Sequence, residues 1–216
     1  MRISKEVLPI ILPFAAIFIA VATPVFFPVR KILFKSWNFY AGSFLFIVIL
    51  WTLWFFRDPD ILVEREGGVL LSPASGKVLE ILVNESGMKT VRIFMNVFDY
   101  HIQRSPCEGK VLETKYTSGS FMNAAKKGAH LLNERNEILL ETTMGKIKIT
   151  QVAGSIARRI VCGKNAGETV RQGDKIGMIK FGSQVDCEFP GNFETLVKEG
   201  ERVRCAKTRI AKWKTN

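Results

Sequence analysis

The sequence predicts a mainly β protein of the β-rich α+β class, in which a hammerhead or barrel-sandwich-like domain follows N-terminal hydrophobic membrane-anchoring helices. Two long uncharged apolar stretches occupy the first 56 of the 216 residues. From residue 57 onward, short runs rich in Val, Ile and Thr alternate with Gly, Pro, Asn and Ser, a composition typical of strands and turns. Turn glycines recur between apolar positions at Gly167, Gly173 and Gly177, a spacing that suits the hairpins of a small barrel or sandwich. We therefore expect a membrane anchor at 1–56 and a β-rich domain at 57–216.

The anchor is predicted from residues 7–29 and 39–56, which carry no charged side chain. A membrane-spanning helix needs about 20 apolar residues, and both stretches are close to that length. Aromatic residues crowd the end of the second stretch beside Arg57, as at a membrane interface. Basic residues flank the first stretch on both sides, so the positive-inside rule favours a re-entrant or monotopic attachment over two complete spans. Two buried helices of a soluble domain are the alternative.

Short apolar runs between turn residues predict the strands of the second domain. These runs are 69–71, 77–83, 90–95, 110–116, 137–142, 146–152 and 156–162. The run 173–180 predicts a further strand and turn that lead to Gly182 and Ser183. Outside the anchor, a helix is expected only around 122–132.

Charge and cysteine content argue against several classes of function. The net charge of +11 points to anionic lipid headgroups in a membrane-anchored protein, and no interleaved basic and aromatic pattern indicates nucleic acid. The four cysteines show no CxxC spacing, so we expect thiols in a reducing compartment rather than disulfides or metal ligands. The β-rich domain is therefore predicted to lie on the cytoplasmic face of the cell membrane, with neither a metal nor a nucleic acid.

The Gly182–Ser183 bond offers a chemistry that a chain without a nucleotide loop or a catalytic triad can perform on itself. The Ser183 hydroxyl can attack the Gly182 carbonyl, because glycine gives the least hindered carbonyl and a backbone that tolerates strain. Elimination of the resulting ester, followed by hydrolysis, leaves a pyruvoyl group. This ketone can form a Schiff base with an amine and accept electrons. A glycine turn before an ordinary strand serine is the alternative for so short a motif.

His101 follows the apolar run 90–95, a position from which its ring is expected to point into a cleft. The pKa of imidazole suits proton transfer near neutrality. Asp99, two residues earlier, is predicted to share a strand face with His101 and to orient the ring. A histidine in a surface turn is the alternative.

Seven motifs in a fixed order give the chain a family resemblance. They are Phe56-Arg57-Asp58-Pro59, Ser72-Pro73-Ala74-Ser75-Gly76-Lys77-Val78, Phe94-Met95-Asn96-Val97-Phe98-Asp99-Tyr100-His101, Asn133-Glu134-Arg135-Asn136, Gln151-Val152-Ala153-Gly154, Ala157-Arg158-Arg159-Ile160 and Phe181-Gly182-Ser183. Together they resemble the short bacterial form of phosphatidylserine decarboxylase, a pyruvoyl-dependent proenzyme, over nearly the whole chain. The set is far more specific than the Gly-Ser pair alone.

The resemblance implies how the chain is divided and what it acts on. Ser183 would become the covalent pyruvoyl cofactor at the start of an α chain, 183–216, and residues 1–182 would form the β chain that carries the anchor. The substrate would be a membrane phospholipid, since phosphatidylserine would lose CO₂ to give phosphatidylethanolamine. The family also suggests a homodimer of processed protomers.

The resemblance also implies roles for residues around Ser183. His101 is the candidate for proton transfer in processing, in decarboxylation or in both, with Asp99 beside it. Arg158 and Arg159 are candidates for neutralising the lipid phosphate or carboxylate, because guanidinium groups pair well with such anions. The remaining candidates, for substrate binding or for a turn network that holds the site together, are Asn133, Glu134 and Arg135.

One departure from the family pattern concerns self-processing. Where the family has Ser-Pro-Ala-Asp-Gly, with an acid thought to assist cleavage, this chain has Ser75. Serine cannot replace a carboxylate, so either Asp99 takes that role or processing is slowed or blocked. Two alternatives stay open: a decarboxylase of another serine-headgroup lipid, of the archaetidylserine type, and, for an unprocessed chain, a non-catalytic membrane-tethered β-barrel adaptor.

Overall fold

A computed structural model describes residues 2–4, 7–26, 33–122, 128–155, 159–180 and 183–214. The chain divides into two units, Met1–Asp60 and Ile61–Asn216. The first unit is largely helical and the second is built mainly of strands. The predictions for Gly182 and Arg158 fall outside the described residues.

The first unit contains two helices at the positions predicted for the anchor. They are α1 (Leu8–Phe26) and α2 (Leu33–Phe55), accompanied by the paired strands β1 (Arg2–Ile3) and β2 (Arg57–Asp58). The two helices contact each other, and the ring centroids of Phe18 and Phe46 lie 6.3 Å apart. Among the residues that the structure describes, no helix combines the length and the apolar character that crossing a membrane requires.

The described residues of the second unit form one short helix and a series of strands. In chain order they are β3 (Val69–Leu71), β4 (Gly76–Val83), β5 (Lys89–Met95), β6 (Ile102–Arg104), β7 (Gly109–Thr117), α3 (Ala129–Leu132), β8 (Arg135–Thr142), β9 (Gly145–Val152), β10 (Ile160–Cys162), β11 (Thr169–Val170), β12 (Lys175–Ile179), β13 (Ser183–Phe189), β14 (Phe193–Thr195), β15 (Arg202–Val203) and β16 (Arg209–Trp213). Each strand predicted from an apolar run is present, although β10 begins later than the predicted 156–162. The seven-residue strand β13 was not predicted, nor were short strands such as β6.

Antiparallel pairing organises the described strands of the second unit into three sheets. The largest has eight strands in the order β11-β7-β8-β9-β13-β5-β4-β15. Two three-stranded sheets have the orders β10-β12-β6 and β14-β16-β3. The chain is therefore mainly β, as the sequence predicts, whereas the closer assignment to a hammerhead or barrel-sandwich-like domain stays a prediction.

Strand β13 lies inside the large sheet, between β9 and β5. Its alternate residues Val185, Cys187 and Phe189 are fully buried in the hydrophobic core. On its other face, the carboxylate of Asp186 is bound by a buried arginine of β5. Both faces of β13 are thus covered, and its first residue, Ser183, is buried inside the domain.

Candidate active site around Ser183 and His101

Ser183 is the first residue of β13 and is fully buried. It lies opposite Met95, the last residue of β5, and its Oγ is 3.7 Å from the Met95 Sδ. A thioether is a weak hydrogen-bond acceptor, so this contact restrains the hydroxyl only loosely. The structure therefore places a buried serine hydroxyl at the residue where the sequence predicts self-cleavage, while Gly182 lies outside the described residues.

His101 is also buried, with 1% of its surface exposed, and directly precedes β6. Its ring Nδ1 lies 2.9 Å from the backbone oxygen of Asp99. A carbonyl oxygen can only accept, so Nδ1 carries the proton and Nε2 of the neutral ring is the basic nitrogen. The backbone oxygen of His101 accepts from the Ile179 N–H at 3.2 Å, which holds this segment against the end of β12.

Gln103 connects the surroundings of His101 with those of Ser183. Its Nε2 donates to the His101 backbone oxygen at 2.9 Å and lies 3.7 Å from the Met95 Sδ, the same sulfur that the Ser183 Oγ approaches. Gln103 is completely buried. The structure therefore brings the predicted residues Ser183 and His101 into one buried neighbourhood through two residues that the sequence analysis did not single out.

Asp99 occupies a turn between β5 and β6 rather than a strand, which corrects the predicted arrangement. Its carboxylate accepts from the Asn96 N–H at 3.0 Å and forms an ion pair with Arg202. The Asn96 side chain in turn accepts from the Phe98 N–H at 2.8 Å, so side-chain acceptors stabilise this turn and end β5. The contact that orients His101 comes from the Asp99 backbone oxygen, not from a shared strand face.

Ser75 lies in the loop before β4 and is 7% exposed. Its Oγ accepts from the Cys205 backbone N–H at 2.9 Å. The Cys205 Sγ lies 3.6 Å from the backbone oxygen of Ile102, the residue after His101. Ser75 is therefore close to the segment that contains His101. Desolvation by burial raises the pKa of the Cys205 thiol to about 12, so this thiol stays neutral.

Asn133 forms a buried network that fixes two backbone segments. Its Nδ2 donates to the backbone oxygens of Met122, at 2.8 Å, and Ala153, at 2.7 Å, while its Oδ1 accepts from the Met122 N–H at 2.9 Å. The Glu134 backbone oxygen accepts from the Ala153 N–H at 2.9 Å. These contacts hold the segment after β9 in place, and a role of Asn133 in substrate binding stays a prediction.

Glu134 and Arg135 contact protein groups next to this network. The Glu134 carboxylate is a hydrogen-bond partner of the Tyr116 hydroxyl. The pKa of Tyr116 is raised, mainly by desolvation and further by this hydrogen bond and by the negative charge of Glu134. Arg135 Nη1 donates to the Leu131 backbone oxygen at 2.9 Å. A role of either residue in substrate binding stays a prediction.

Arg159 is exposed, and its backbone oxygen accepts from the Lys180 N–H at 3.2 Å. Lys180 precedes Ser183 by three residues, so Arg159 lies beside the segment that leads to the predicted cleavage point. Its exposure leaves the guanidinium accessible to an anionic ligand. Its partner in the prediction, Arg158, lies outside the described residues.

A cavity of about 490 Å³ lies on the face of the large sheet opposite the side chain of Ser183. Alternate residues of β13 point to opposite faces, and Asp186 and Glu188 line this cavity whereas Ser183 points the other way. Two ion pairs lie in this cavity, Arg92 with Asp186 at 3.1 Å and Lys148 with Glu188 at 3.2 Å, and the predicted substrate-binding residue Arg135 also lines it. This cavity is therefore separate from the site around Ser183 and His101.

Comparison with known proteins identifies one family over most of the chain. Residues 48–211 match the sequence model of the family described as phosphatidylserine decarboxylase. The chain is 39% identical over 209 residues to a phosphatidylserine decarboxylase proenzyme of Magnetococcus marinus, covering 94% of this chain and 93% of the relative. It is 40% identical over 183 residues to a proenzyme of the same name from Pelagibacter ubique, covering 80% and 85%, and 38% identical over 195 residues to one from Rickettsia felis, covering 86% and 84%.

Proposed function

This chain belongs to the phosphatidylserine decarboxylase family, and we propose that it converts phosphatidylserine to phosphatidylethanolamine and CO₂ after cutting itself between Gly182 and Ser183. As a family member it is a carboxy-lyase. The observation that carries the proposal is the buried Ser183 hydroxyl, held next to Met95 and connected through Gln103 to the backbone of His101.

In the proposed self-cleavage, the Ser183 Oγ attacks the Gly182 carbonyl carbon as the hydroxyl gives up its proton. The amide C–N bond then breaks, leaving an ester at Oγ and an amino group on residue 183. Loss of the residue 183 Cα proton expels the Gly182 carboxylate together with Oγ, and water hydrolyses the resulting dehydroalanine to a ketone and ammonia. His101 Nε2 is the proposed proton acceptor, because the Asp99 backbone oxygen keeps the ring proton on Nδ1.

The surroundings of Ser183 suit a pyruvoyl group. Conversion of Ser183 to that group would turn its Cα into the ketone carbon and its CH₂OH into a methyl, and the neighbouring Met95 Sδ is a soft apolar partner for a methyl. When formed, the group supplies a ketone that withdraws electrons from the bond to the departing CO₂. His101 would hold or deliver a proton at Nε2, and the burial of the site limits access of water.

The proposal includes a membrane location for this reaction. The substrate is a lipid, the chain carries a net charge of +11, and α1 and α2 are rich in apolar side chains. We place the helical unit in or on the cell membrane and the β-rich unit on its cytoplasmic face, with thiols kept reduced. Exposed Arg159, together with Arg158, would bind the phosphate or carboxylate of the headgroup, and the processed protomers would pair as a dimer.

The test of the proposal is the intact mass of the purified protein under denaturing conditions. Two species are expected, 1–182 and 183–216, with the smaller one lighter than its unmodified sequence by one ammonia. The Ser183→Ala variant should remain one chain of 24.4 kDa and release no CO₂ from phosphatidylserine. A wild-type chain that stays whole and inactive would contradict the proposal and favour a non-catalytic adaptor. Processed protein that decarboxylates only an archaetidylserine-type lipid would redirect the substrate assignment.

A further inference from the structure

Three buried carboxamides form a hydrogen-bonded chain that ends beside His101 and Ser183. Asn136 Nδ2 donates to Gln151 Oε1 at 2.9 Å, and Gln151 Nε2 donates to Gln103 Oε1 at 2.8 Å. All three side chains belong to residues that are at most 2% exposed. They come from β8, β9 and β6, so the chain of amides links the large sheet to a three-stranded sheet.

The chain of amides has a direction, because each NH₂ group donates to the next residue. Gln103 uses its oxygen to accept from Gln151, which turns its NH₂ group toward the His101 backbone oxygen and the Met95 Sδ. A flipped Gln103 amide would bring two oxygens together at His101 and two NH₂ groups together at Gln151. An unsatisfied buried polar group is costly, because it has lost its hydrogen bonds to water, so the observed orientation is strongly preferred.

We propose that Gln103 is a positioning residue for self-cleavage at Ser183, and that Gln151 and Asn136 hold it in its donating orientation. The inference rests on the proposed function, because it concerns the rate of that cleavage. Gln103 donates to the His101 backbone and approaches the sulfur next to the Ser183 Oγ.

The contacts of His101 explain how the NH₂ group of Gln103 can affect the rate of self-cleavage. The imidazole is fixed at one end by the Asp99 backbone oxygen, and the His101 backbone oxygen receives two donors, Gln103 Nε2 and the Ile179 N–H. Loss of the Gln103 donor removes the shorter of these two contacts and leaves the Ile179 contact at 3.2 Å. A displacement of about 1 Å in a catalytic group can reduce a rate by about 100-fold, so a small shift of this segment is sufficient to slow cleavage.

The first experiment compares Gln103→Met with Gln172→Met in a cell-free translation system, where newly made chain is pulse-labelled and its cleavage followed on gels. Gln172 is the matched control, since it is another buried glutamine and its Nε2 donates to the Val69 backbone oxygen at 2.8 Å. We expect Gln103→Met to cleave about 10-fold more slowly or worse, and Gln172→Met to cleave within about 2-fold of wild type. Thermal unfolding of each variant in the uncleaved Ser183→Ala background reports its effect on stability.

The second experiment uses Gln103→Glu and varies pH. A glutamate at this position can accept from Gln151 in either form, but only the protonated form has an O–H to donate to the His101 backbone oxygen. Burial raises the pKa of such a carboxyl above its usual value of about 4.3. Besides His101 itself, the segments that contact it carry Asp99, Arg104, Lys180 and the Cys205 thiol, of which the thiol stays neutral. The ratio of the variant's cleavage rate to that of wild type should therefore rise as pH falls from about 8 to about 5.5.

The outcomes separate this inference from the proposed function. If wild type cleaves at 182–183 and Gln103→Met cleaves equally fast, the inference is wrong and the proposed function stands. The inference is also wrong if the Gln103→Glu ratio does not change with pH, or if both Met variants slow cleavage in proportion to their loss of stability. If the wild-type chain does not cleave at all, the proposed function and the inference fail together.

Discussion

Ser183 and Met95 lie opposite each other on β13 and β5, with the serine Oγ 3.7 Å from the methionine Sδ. A nucleophile must leave its hydrogen-bond partner in order to react. A sulfur acceptor makes this easier than an oxygen acceptor would, because the O–H···S contact is weak. In the proposed mechanism the pairing would also give the pyruvoyl methyl group an apolar neighbour, so the same contact would suit the chain before and after cleavage.

Met95→Leu should therefore retain self-cleavage. Leucine keeps the volume and the apolar character of methionine, and swaps of this kind usually cost less than about 1.5 kcal/mol of stability. We expect a cleavage rate within about 3-fold of wild type, measured from the ratio of whole to cut chain during a pulse–chase. Met95→Gln, which offers an amide oxygen to the Ser183 hydroxyl, should cleave more slowly. Loss of cleavage in a folded Met95→Leu protein would show that the sulfur has a direct chemical role.

His101→Gln should nearly abolish self-cleavage while preserving the fold. The glutamine amide can still donate to the Asp99 backbone oxygen, but it has no basic nitrogen to take the Ser183 proton. General-base catalysis is worth about 10²–10⁴-fold, and we expect a loss of this size in the cleavage rate measured by intact mass over time. Unchanged cleavage in this variant would transfer the proton-accepting role to another residue. Partial rescue by added imidazole would support His101 as the base.

Arg92→Met should destabilise the domain without changing a residue that contacts Ser183 or His101. Arg92 bridges Glu80 and Asp186 at 2.8 and 3.1 Å, on the sheet face opposite the side chain of Ser183. Removal of one partner of a buried ion pair costs roughly 3–5 kcal/mol, because the remaining charge stays buried. The measurement is urea unfolding in the Ser183→Ala background, where the chain is whole.

Lys148→Met is the matched control for Arg92→Met. Lys148 pairs with Glu188 at 3.2 Å on the same sheet face, and its side chain is 34% exposed. A pair this exposed to solvent contributes less than about 1 kcal/mol. Equal losses of stability in the two variants would mean that burial of the Arg92 cluster is less complete than the structure indicates.

Much of the second unit could be predicted from the sequence. Its strands either alternate polar and apolar residues or consist of consecutive apolar residues, and turn residues bound them. The runs 110–116 and 146–152 are examples, and both correspond to strands of the large sheet. Strand β13 carries the same signal, since polar and apolar residues alternate from Gln184 to Phe189. It was not predicted, because the Gly-Ser pair before it is typical of a turn. Local periodicity therefore accounts for most of the fold.

The site could be predicted only where a residue type limits the chemistry. Ser183 and His101 were predicted in this way, from the chemistry open to serine after glycine and to a strand-end histidine and from the family motifs that contain them. Gln103 has no such signal, since its partner Gln151 is 48 residues away and a glutamine in a short strand is ordinarily exposed. Asp99 was assigned to a strand because its turn depends on the side chain of Asn96, which local hydrophobicity does not report.

Ser75 occupies the position where the family resemblance implies an aspartate, and the contacts of Ser75 indicate what an aspartate would meet there. The Ser75 Oγ already accepts from the Cys205 N–H at 2.9 Å, in a buried loop whose neighbour Cys205 contacts the residue after His101. A carboxylate at this position would accept the same N–H, and its negative charge would stabilise a protonated His101 during cleavage. Ser75→Asp should therefore accelerate self-cleavage relative to wild type.

The size of this acceleration distinguishes two explanations of how the natural chain manages without the acid. If Asp99 or the Gln103 network already stabilises the protonated His101 during cleavage, Ser75→Asp should change the cleavage rate by less than about 3-fold. If the natural chain is slowed by its serine, the gain should reach about 10-fold or more, measured by pulse–chase at neutral pH. Ser75→Asn is the control, because it supplies a similar side chain and an acceptor for the Cys205 N–H without the charge. Equal gains from Asp and Asn would assign the effect to hydrogen bonding, and slower cleavage in Ser75→Asp would contradict a role for negative charge at this position.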